Sequence, residues 1–230
     1  MFTKKMAFTY FVTVILIFNT GWIDSVVLYN SFGASVAVMS GNLRILGHSM
    51  AGADWVFMYK VAILVFGFVV GAAVNGVLMK TDAYVISEDH TKTLVLQSAV
   101  MLTGTLLIDI FSNHRIIDDL FLAVAMGMQN SFTTIFFGGF ARTTHMTGTT
   151  TDLGIEIGRV LRGDKSNVWK IPFFATCMTM FVIGNAAGVV WVNISGHNYT
   201  LMLFPSVVLP IFVGIVILLT YNMKVKNHRI

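Results

Sequence analysis

One acidic residue, Asp24, stands well inside a long apolar stretch of this sequence. A charged carboxylate in hydrocarbon costs at least about 2.5 kcal/mol, so Asp24 must face a cavity or a partner, or it must be protonated. Thr20 lies four residues earlier and therefore shares a helix face with it. Two interpretations stay open: Asp24 relays a proton or cation or contacts a substrate, or it caps a broken helix or hydrogen-bonds another part of the chain.

The surroundings of Asp24 occur twice in the chain. The pattern Gly-x-x-[Asp/Asn]-Ser contains Asp24 in its first copy and Asn130, 106 residues later, in its second. The pattern Met-[Ser/Thr]-Gly-x4-Leu-Gly begins at Met39 and again, 107 residues later, at Met146. Both patterns keep their order and register, which predicts two copies of one structural unit.

We expect the repeated polar residues to line a site for a solute between the two copies. Ser40 and Thr147 are expected to cap the start of a short helix, where free amides attract anions. The residues predicted to contact substrate are Asp24, Ser25, Ser40, Gly41, Asn42, Gln129, Asn130, Ser131, Thr147, Gly148 and Thr149. Helix starts favour an anion whereas Asp24 favours a cation or proton, so the sign of the solute's charge stays open.

The composition shows what kind of elements must hold these residues. Of 230 residues, 56% are hydrophobic and only 11% are charged, against about 25% charged in ordinary soluble domains. This excludes a disordered chain, a basic nucleic-acid-binding domain and a soluble enzyme of normal build. The single cysteine excludes an internal disulfide and a multi-cysteine metal site. We therefore predict an all-α integral membrane protein.

Six stretches are long and apolar enough to cross a bilayer as helices. They are residues 8–32, 55–79, 94–111, 120–140, 171–194 and 201–221. Continuous apolar runs, rather than alternating ones, disfavour a membrane barrel of strands. With six spans, 12 of the 15 Lys and Arg residues fall on the side that holds both termini. That side is therefore predicted to be cytoplasmic.

Residues 1–112 form a first half and residues 113–230 a second half, each with three predicted spans. Since three is odd, the second half enters the membrane from the opposite side. Such inverted repeats are typical of secondary transporters and some channels, with the site near the midplane at broken helices. We predict a single membrane domain with a broken or re-entrant segment after the first helix of each half.

Motifs for catalysis are missing from the sequence. It contains no Walker loop, dinucleotide fingerprint, G-x-S-x-G elbow or H-E-x-x-H. Its six histidines and one cysteine show no metal-ligand spacing. We expect no enzymatic activity, no cofactor and no bound metal.

The two motif pairs, with their spacing, resemble the YoaK family of uncharacterised bacterial six-span membrane proteins. The residues that carry the resemblance are Gly21 through Ser25, Met39 through Asn42, Gly127 through Ser131, and Met146 through Gly148. The family typically shows threonine where this chain has Ser40, a change that keeps the hydroxyl group. The resemblance implies a bacterial cytoplasmic (inner) membrane location and no established substrate.

Two functions are compatible with these features. The first is a secondary transporter or channel-like carrier for a small polar or ionic solute, with Asp24 as the coupling or gating carboxylate. The second is a non-transporting membrane module whose basic loop, residues 142–170, docks a partner or meets anionic lipid. Expected partners are membrane lipid and a small solute, but no nucleic acid. A homo-oligomer is also open, because the Gly-x3-Gly pairs from Gly67 and Gly184 can pack within or between chains.

Overall fold

The computed structural model describes residues 4–30, 33–80, 83–110, 115–196 and 198–227. These ranges contain eight helices and no strand. The helices are α1 (Lys4–Asn30), α2 (Met39–Ala51), α3 (Trp55–Leu78), α4 (Glu88–Ile110), α5 (Arg115–Phe136), α6 (Met146–Leu161), α7 (Lys170–Ile194) and α8 (Tyr199–Asn227). The prediction of an all-helical chain is confirmed for the described residues.

Four helices are long and apolar enough to cross a membrane. The candidate spans are Ala7–Tyr29 in α1, Trp55–Leu78 in α3, Lys170–Ile194 in α7 and Tyr199–Val225 in α8. Within the described residues, α4 and α5, which hold the predicted third and fourth spans, do not meet the same criteria. Both bury polar side chains, among them Gln97 on α4 and Gln129 on α5. The long apolar helices indicate a membrane protein.

The main helix contacts run between the two halves of the chain. Helix α1 packs against α7, α3 packs against α5, and α4 packs against α8. The shorter helices stay within their own halves, where α2 packs on α3 and α6 packs on α7. Each long helix of one half therefore lies against a helix of the other half.

Glycines make the two tightest crossings possible. A Cβ atom added at Gly71 of α3 would overlap the backbone carbonyl of Val124 on α5, and one at Gly127 of α5 would overlap that of Phe68. The crossing of α1 and α7 follows the same rule. There, added Cβ atoms at Gly21, Gly184 and Gly188 would overlap Phe181, Phe18 and Ser25 respectively. The Gly-x3-Gly pairs thus pack within this chain.

Residues 33–38, ahead of α2, and residues 137–145, ahead of α6, are not helical, and each segment ends just before the methionine of the repeated motif. In the first segment, Ala34, Val36 and Ala37 are fully buried among helices. In the second, Ala141 and Thr143 are buried. Irregular backbone at this depth is stable only where the protein itself covers it and satisfies its polar groups.

Two hydrophobic clusters form the core. The first includes Trp22, Ile23, Val26, Ala34, Leu64, Met101, Met126, Val192 and Leu203. The second includes Val12, Leu16, Leu94, Phe132, Phe136, Phe174 and Val213. Helices α1, α4, α5, α7 and α8 contribute to both, so the clusters divide the helix bundle along its length.

Candidate functional site

A layer of buried polar side chains separates the two hydrophobic clusters. On each of three helices, this layer lies between residues of one cluster and residues of the other. It consists of Asn19 and Thr20 on α1, Gln97 and Ser98 on α4, and Gln129 on α5. We call these five residues the polar layer. All five are at most 1% exposed, so their amides and hydroxyls are desolvated within the bundle.

Gln129 is the centre of the polar layer. Its Nε2 donates hydrogen bonds to the Leu16 carbonyl oxygen (2.9 Å) and to Thr20 Oγ1 (2.7 Å). Its Oε1 accepts from Asn19 Nδ2 (2.9 Å) and from Gln97 Nε2 (3.0 Å). One amide from the second half of the chain thereby joins α1 and α4 of the first half. Of the predicted site residues, Gln129 is the one in the polar layer, where it bonds residues of the other half.

Asp24 belongs to a second network that fixes the non-helical segment before α2. The Ser35 hydroxyl donates to Asp24 Oδ1. The same hydroxyl oxygen accepts from the backbone N–H groups of Ala37 (3.0 Å) and Val38 (2.7 Å). Asn42 clamps Ser35 from the other side, accepting from its N–H (3.1 Å) and donating to its carbonyl oxygen (2.6 Å). We call Asp24, Ser35 and Asn42 the Asp24 network.

The second half contains a weaker counterpart of this arrangement. Asn130 Oδ1 accepts from the backbone N–H of Thr144, which lies in the segment before α6 (3.3 Å). Asp24 and Asn130 thus each bond the segment that follows their own helix. Among the described hydrogen bonds, none joins the two residues to each other. The Asn130 backbone carbonyl also accepts from Thr134 Oγ1 (2.7 Å).

The serines of the first motif serve helix contacts. Ser25 Oγ donates to the Trp22 carbonyl oxygen (2.9 Å) and lies against Gly188 of α7. Ser131 Oγ donates to the carbonyl oxygen of Gly127 (2.8 Å) within α5. Both hydroxyls are bonded to their own helix and lie outside the polar layer, and Ser25 lies at the crossing of α1 with α7.

The prediction that Ser40 and Thr147 cap short helices is wrong. Helix α2 begins at Met39 with Val38 as its N-cap, α6 begins at Met146 with His145 as its N-cap, and neither cap makes a side-chain hydrogen bond. Ser40 and Thr147 lie one residue inside their helices and are exposed. Ser35 satisfies the backbone ahead of α2 instead, because its hydroxyl lies close to two N–H groups that point into the core.

The remaining predicted residues differ between the two copies. Gly41 has open space around it, whereas a Cβ at Gly148 would overlap the His145 ring. Asn42 is fully buried in the Asp24 network. Its counterpart Thr149 instead donates to the His145 carbonyl oxygen (3.1 Å) within α6. In the first copy, the Asp24 network thereby links α2 to a buried carboxylate on α1.

Sequence reasoning missed four residues that the structure brings to the site: Asn19, Ser35, Gln97 and Ser98. Asn19 and Gln97 gave a usable signal, since each is an uncharged polar residue within an apolar run. Ser35 gave none, because a serine in a connecting segment is ordinary. Within the described ranges, no group of three or more His, Cys, Asp or Glu residues could hold a metal ion.

An all-helical chain whose long apolar helices enclose a buried polar layer is a protein of membrane type. It belongs to the family described as a protein of unknown function (DUF1275), whose model matches residues 12–216. The expected membership of an uncharacterised family is thereby confirmed. No curated protein matches the chain. No solved structure matches it either.

Proposed function

We propose that the protein is a secondary transporter or channel-like carrier for a small polar or ionic solute, rather than an enzyme. In this proposal six helices span the membrane as two inverted repeats, both termini are cytoplasmic, and the polar layer forms the solute site. The resemblance to the YoaK family adds a bacterial inner-membrane location.

The packing of α4 and α5 supports six spans rather than four. Helix α4 packs against the candidate span α8, with Thr91 Oγ1 donating to the Gly214 carbonyl oxygen (3.0 Å). Helix α5 packs against the candidate span α3. Helices of 23 and 22 residues are long enough to cross. A helix packed along a spanning helix lies at the same depth, and α4 and α5 can carry polar residues there because they turn them inward.

The pairing of helices supports an inverted repeat. If α1 corresponds to α5 and α3 to α7, the contact of α1 with α7 is the counterpart of the contact of α5 with α3. The packing of α2 on α3 likewise corresponds to that of α6 on α7. Two units related by a twofold axis produce such reciprocal pairs. The bonds from Asp24 and Asn130 to the segments that follow their helices add a further pair.

The observation that carries the proposal is the polar layer itself. Buried polar groups inside a membrane bundle are costly, and they are typical of solute pathways. This layer joins Gln129 of the second half to Asn19 and Gln97 of the first, which is where carriers built from inverted repeats place their sites. Asp24 lies four residues beyond Thr20 along α1, about 6 Å further along the axis. It is therefore placed to couple solute movement to the segment that Ser35 holds.

Flux measurements in liposomes test this function. Purified protein is reconstituted, and uptake of labelled Na⁺, Rb⁺, Cl⁻ and glycerol is compared with that of empty liposomes. We expect uptake of at least one solute, reduced in the Asp24→Asn variant and unchanged in the Asp152→Asn variant, whose carboxylate is exposed on α6. Equal flux in wild type and Asp24→Asn would remove Asp24 from the mechanism. Uptake equal to that of empty liposomes for every probe would reject transport of these solute classes.

The alternative function, docking of a partner by the basic loop, is favoured by one feature of α6. Buried Glu156 pairs with Arg159 (2.8 Å) and Lys170 (3.3 Å), which ties α6 to the start of α7. Leu161 is 83% exposed beside exposed Arg162. An apolar residue beside cations suits an acidic amphipathic partner or anionic lipid. Loss of partner capture in Arg162→Glu, with solute flux unchanged, would support this second role.

A further inference from the structure

We infer that the polar layer selects a small monovalent cation, held by the side-chain oxygens of Asn19 and Gln97. This inference rests on the proposed function only for the route by which the ion arrives. Binding itself can be measured separately, without any transport step.

The orientation of Gln129 is fixed by groups that can only accept. A carbonyl oxygen has no proton to donate, so the atom of Gln129 that faces the Leu16 carbonyl must be Nε2. Thr20 Oγ1 already donates its proton to the same carbonyl (2.9 Å), so towards Gln129 it too can only accept. Both protons of Nε2 are therefore used, and Oε1 must point away from Leu16 and Thr20, towards the amides of Asn19 and Gln97.

This orientation determines the next two amides. Since Gln129 Oε1 accepts, Asn19 and Gln97 must each present a nitrogen to it. Their oxygens then point elsewhere, and neither Asn19 Oδ1 nor Gln97 Oε1 has a hydrogen-bond partner, although both are buried. A carbonyl oxygen without a partner in a dry interior is costly. Two such oxygens beside one acceptor are thus available to bind a ligand.

The sign of the ligand's charge follows from the atoms that lack hydrogen-bond partners. In the polar layer, the buried amide atoms without a hydrogen-bond partner are Asn19 Oδ1 and Gln97 Oε1, and no amide nitrogen there lacks one. Ser98 Oγ of the polar layer also lacks a partner, but a hydroxyl can donate as well as accept, so the two amide oxygens determine the sign. Neutral amide and hydroxyl oxygens bind hard cations, as the carbonyl rings of ion channels do. An anion would meet negative dipoles here and would be excluded.

The charge of the ion follows from what the layer lacks. None of its five residues is acidic, so only dipoles compensate the ion there. Asp24, about one helical turn from Thr20, supplies a single nearby carboxylate. One negative group suits one positive charge, whereas a divalent ion usually takes several carboxylates. Na⁺, K⁺ and NH₄⁺ are therefore the candidate ligands.

The test is a thermal-unfolding series of the full chain in detergent, without any transport step. NaCl, KCl and NH₄Cl are compared with N-methylglucamine chloride at equal ionic strength, and NaCl is compared with sodium nitrate. We expect at least one small cation to raise Tm by about 3 °C at ten times its Kd, whatever the anion. The shift should be lost in Gln129→Leu and reduced in Gln97→Leu. It should persist in Asn75→Leu, which removes another buried amide outside the layer.

Three results would overturn the inference: equal Tm in all four chloride salts, a shift that follows the anion, or an unchanged shift in Gln97→Leu. If Gln129→Leu does not fold, the wild-type salt series and Gln97→Leu decide the question. A cation-specific shift without flux in liposomes would keep the site and reject the carrier. Flux without any cation-specific shift would keep the carrier and reject this site.

Discussion

Replacing Ser35 with alanine removes a hydroxyl that makes three hydrogen bonds at once. It donates to Asp24 and accepts from the N–H groups of Ala37 and Val38. All four residues lie in or beside the buried segment between α1 and α2. In Ser35→Ala, two backbone N–H groups and one carboxylate oxygen therefore lose their partner without gaining water.

The expected loss follows from the type of each bond. A neutral hydrogen bond contributes about 1 kcal/mol net, and one to a charged group about 1.5–3 kcal/mol. Two of the first kind and one of the second give a decrease of about 3–5 kcal/mol in the free energy of unfolding. We expect the lost stability to arise in this segment, because only the hydrogen bonds between Asn42 and the Ser35 backbone would then hold it to α2.

Ser206→Ala is the matched control. Ser206 is as deeply buried as the polar layer, but its Oγ has no hydrogen-bond partner. Removing it should leave stability unchanged or slightly increased, because an unsatisfied polar atom disappears. Equilibrium unfolding in mixed micelles, followed by tryptophan fluorescence, gives both values. Hydrogen exchange at Ala37 and Val38 should become faster only in Ser35→Ala.

A double-mutant cycle with Asp24→Asn isolates the bond to the carboxylate. If that bond is energetically coupled, the two substitutions together should cost less than the sum of their separate costs. The reasoning is refuted if Ser35→Ala costs no more than Ser206→Ala. Additive costs would refute the coupling of Asp24 to the segment.

Two further predictions concern the helix crossings and the N-terminal end of α4. Gly71→Ala should lower the free energy of unfolding by about 1–3 kcal/mol, because the added Cβ would overlap the Val124 carbonyl. The control Gly76→Ala on the same helix meets open space and should raise it by about 0.5–1 kcal/mol. Equal free energies of unfolding for the two variants would contradict the close crossing. Burial lowers the pKa of His90, which precedes the apolar stretch of α4, and this effect outweighs the hydrogen bond to the Ser87 carbonyl oxygen (3.2 Å) and the charge of Asp89, which both raise the pKa. The folded state thus binds fewer protons than the unfolded state, so the contribution of His90 is complete above its ordinary pKa of 6.5 and is lost as pH falls below it. The free energy of unfolding, measured from pH 7.5 to 5, should show this loss in wild type and in the control His48→Gln but not in His90→Gln. A pH profile of His90→Gln equal to that of wild type would contradict this role of His90.

The sequence alone determined the helical membrane class and most helix positions. Apolar runs locate α3 and α7 to within one residue, because hydrophobicity and length are local properties that need no partner. The end of α5 was predicted at 140 but lies at Phe136, since Gly138 and Gly139 adopt positive φ angles of 60° and 81° and so leave the right-handed helix. The repeated motifs also marked the methionines at which α2 and α6 begin.

Only the tertiary structure decided which polar groups meet. A helix turns by about 100° per residue, so one position separates a side chain in the bundle from one in lipid, and packing alone chooses between them. The sequence predicts Asp24, Gln129 and Asn130 at one site, but in the bundle Gln129 bonds Asn19 and Gln97 instead. Asp24 instead bonds Ser35, eleven residues away on a segment that becomes rigid only once helices bury it. Composition and periodicity fix where polar groups stand along each helix, whereas the crossings of helices, set by a few glycines, fix what those groups can bind.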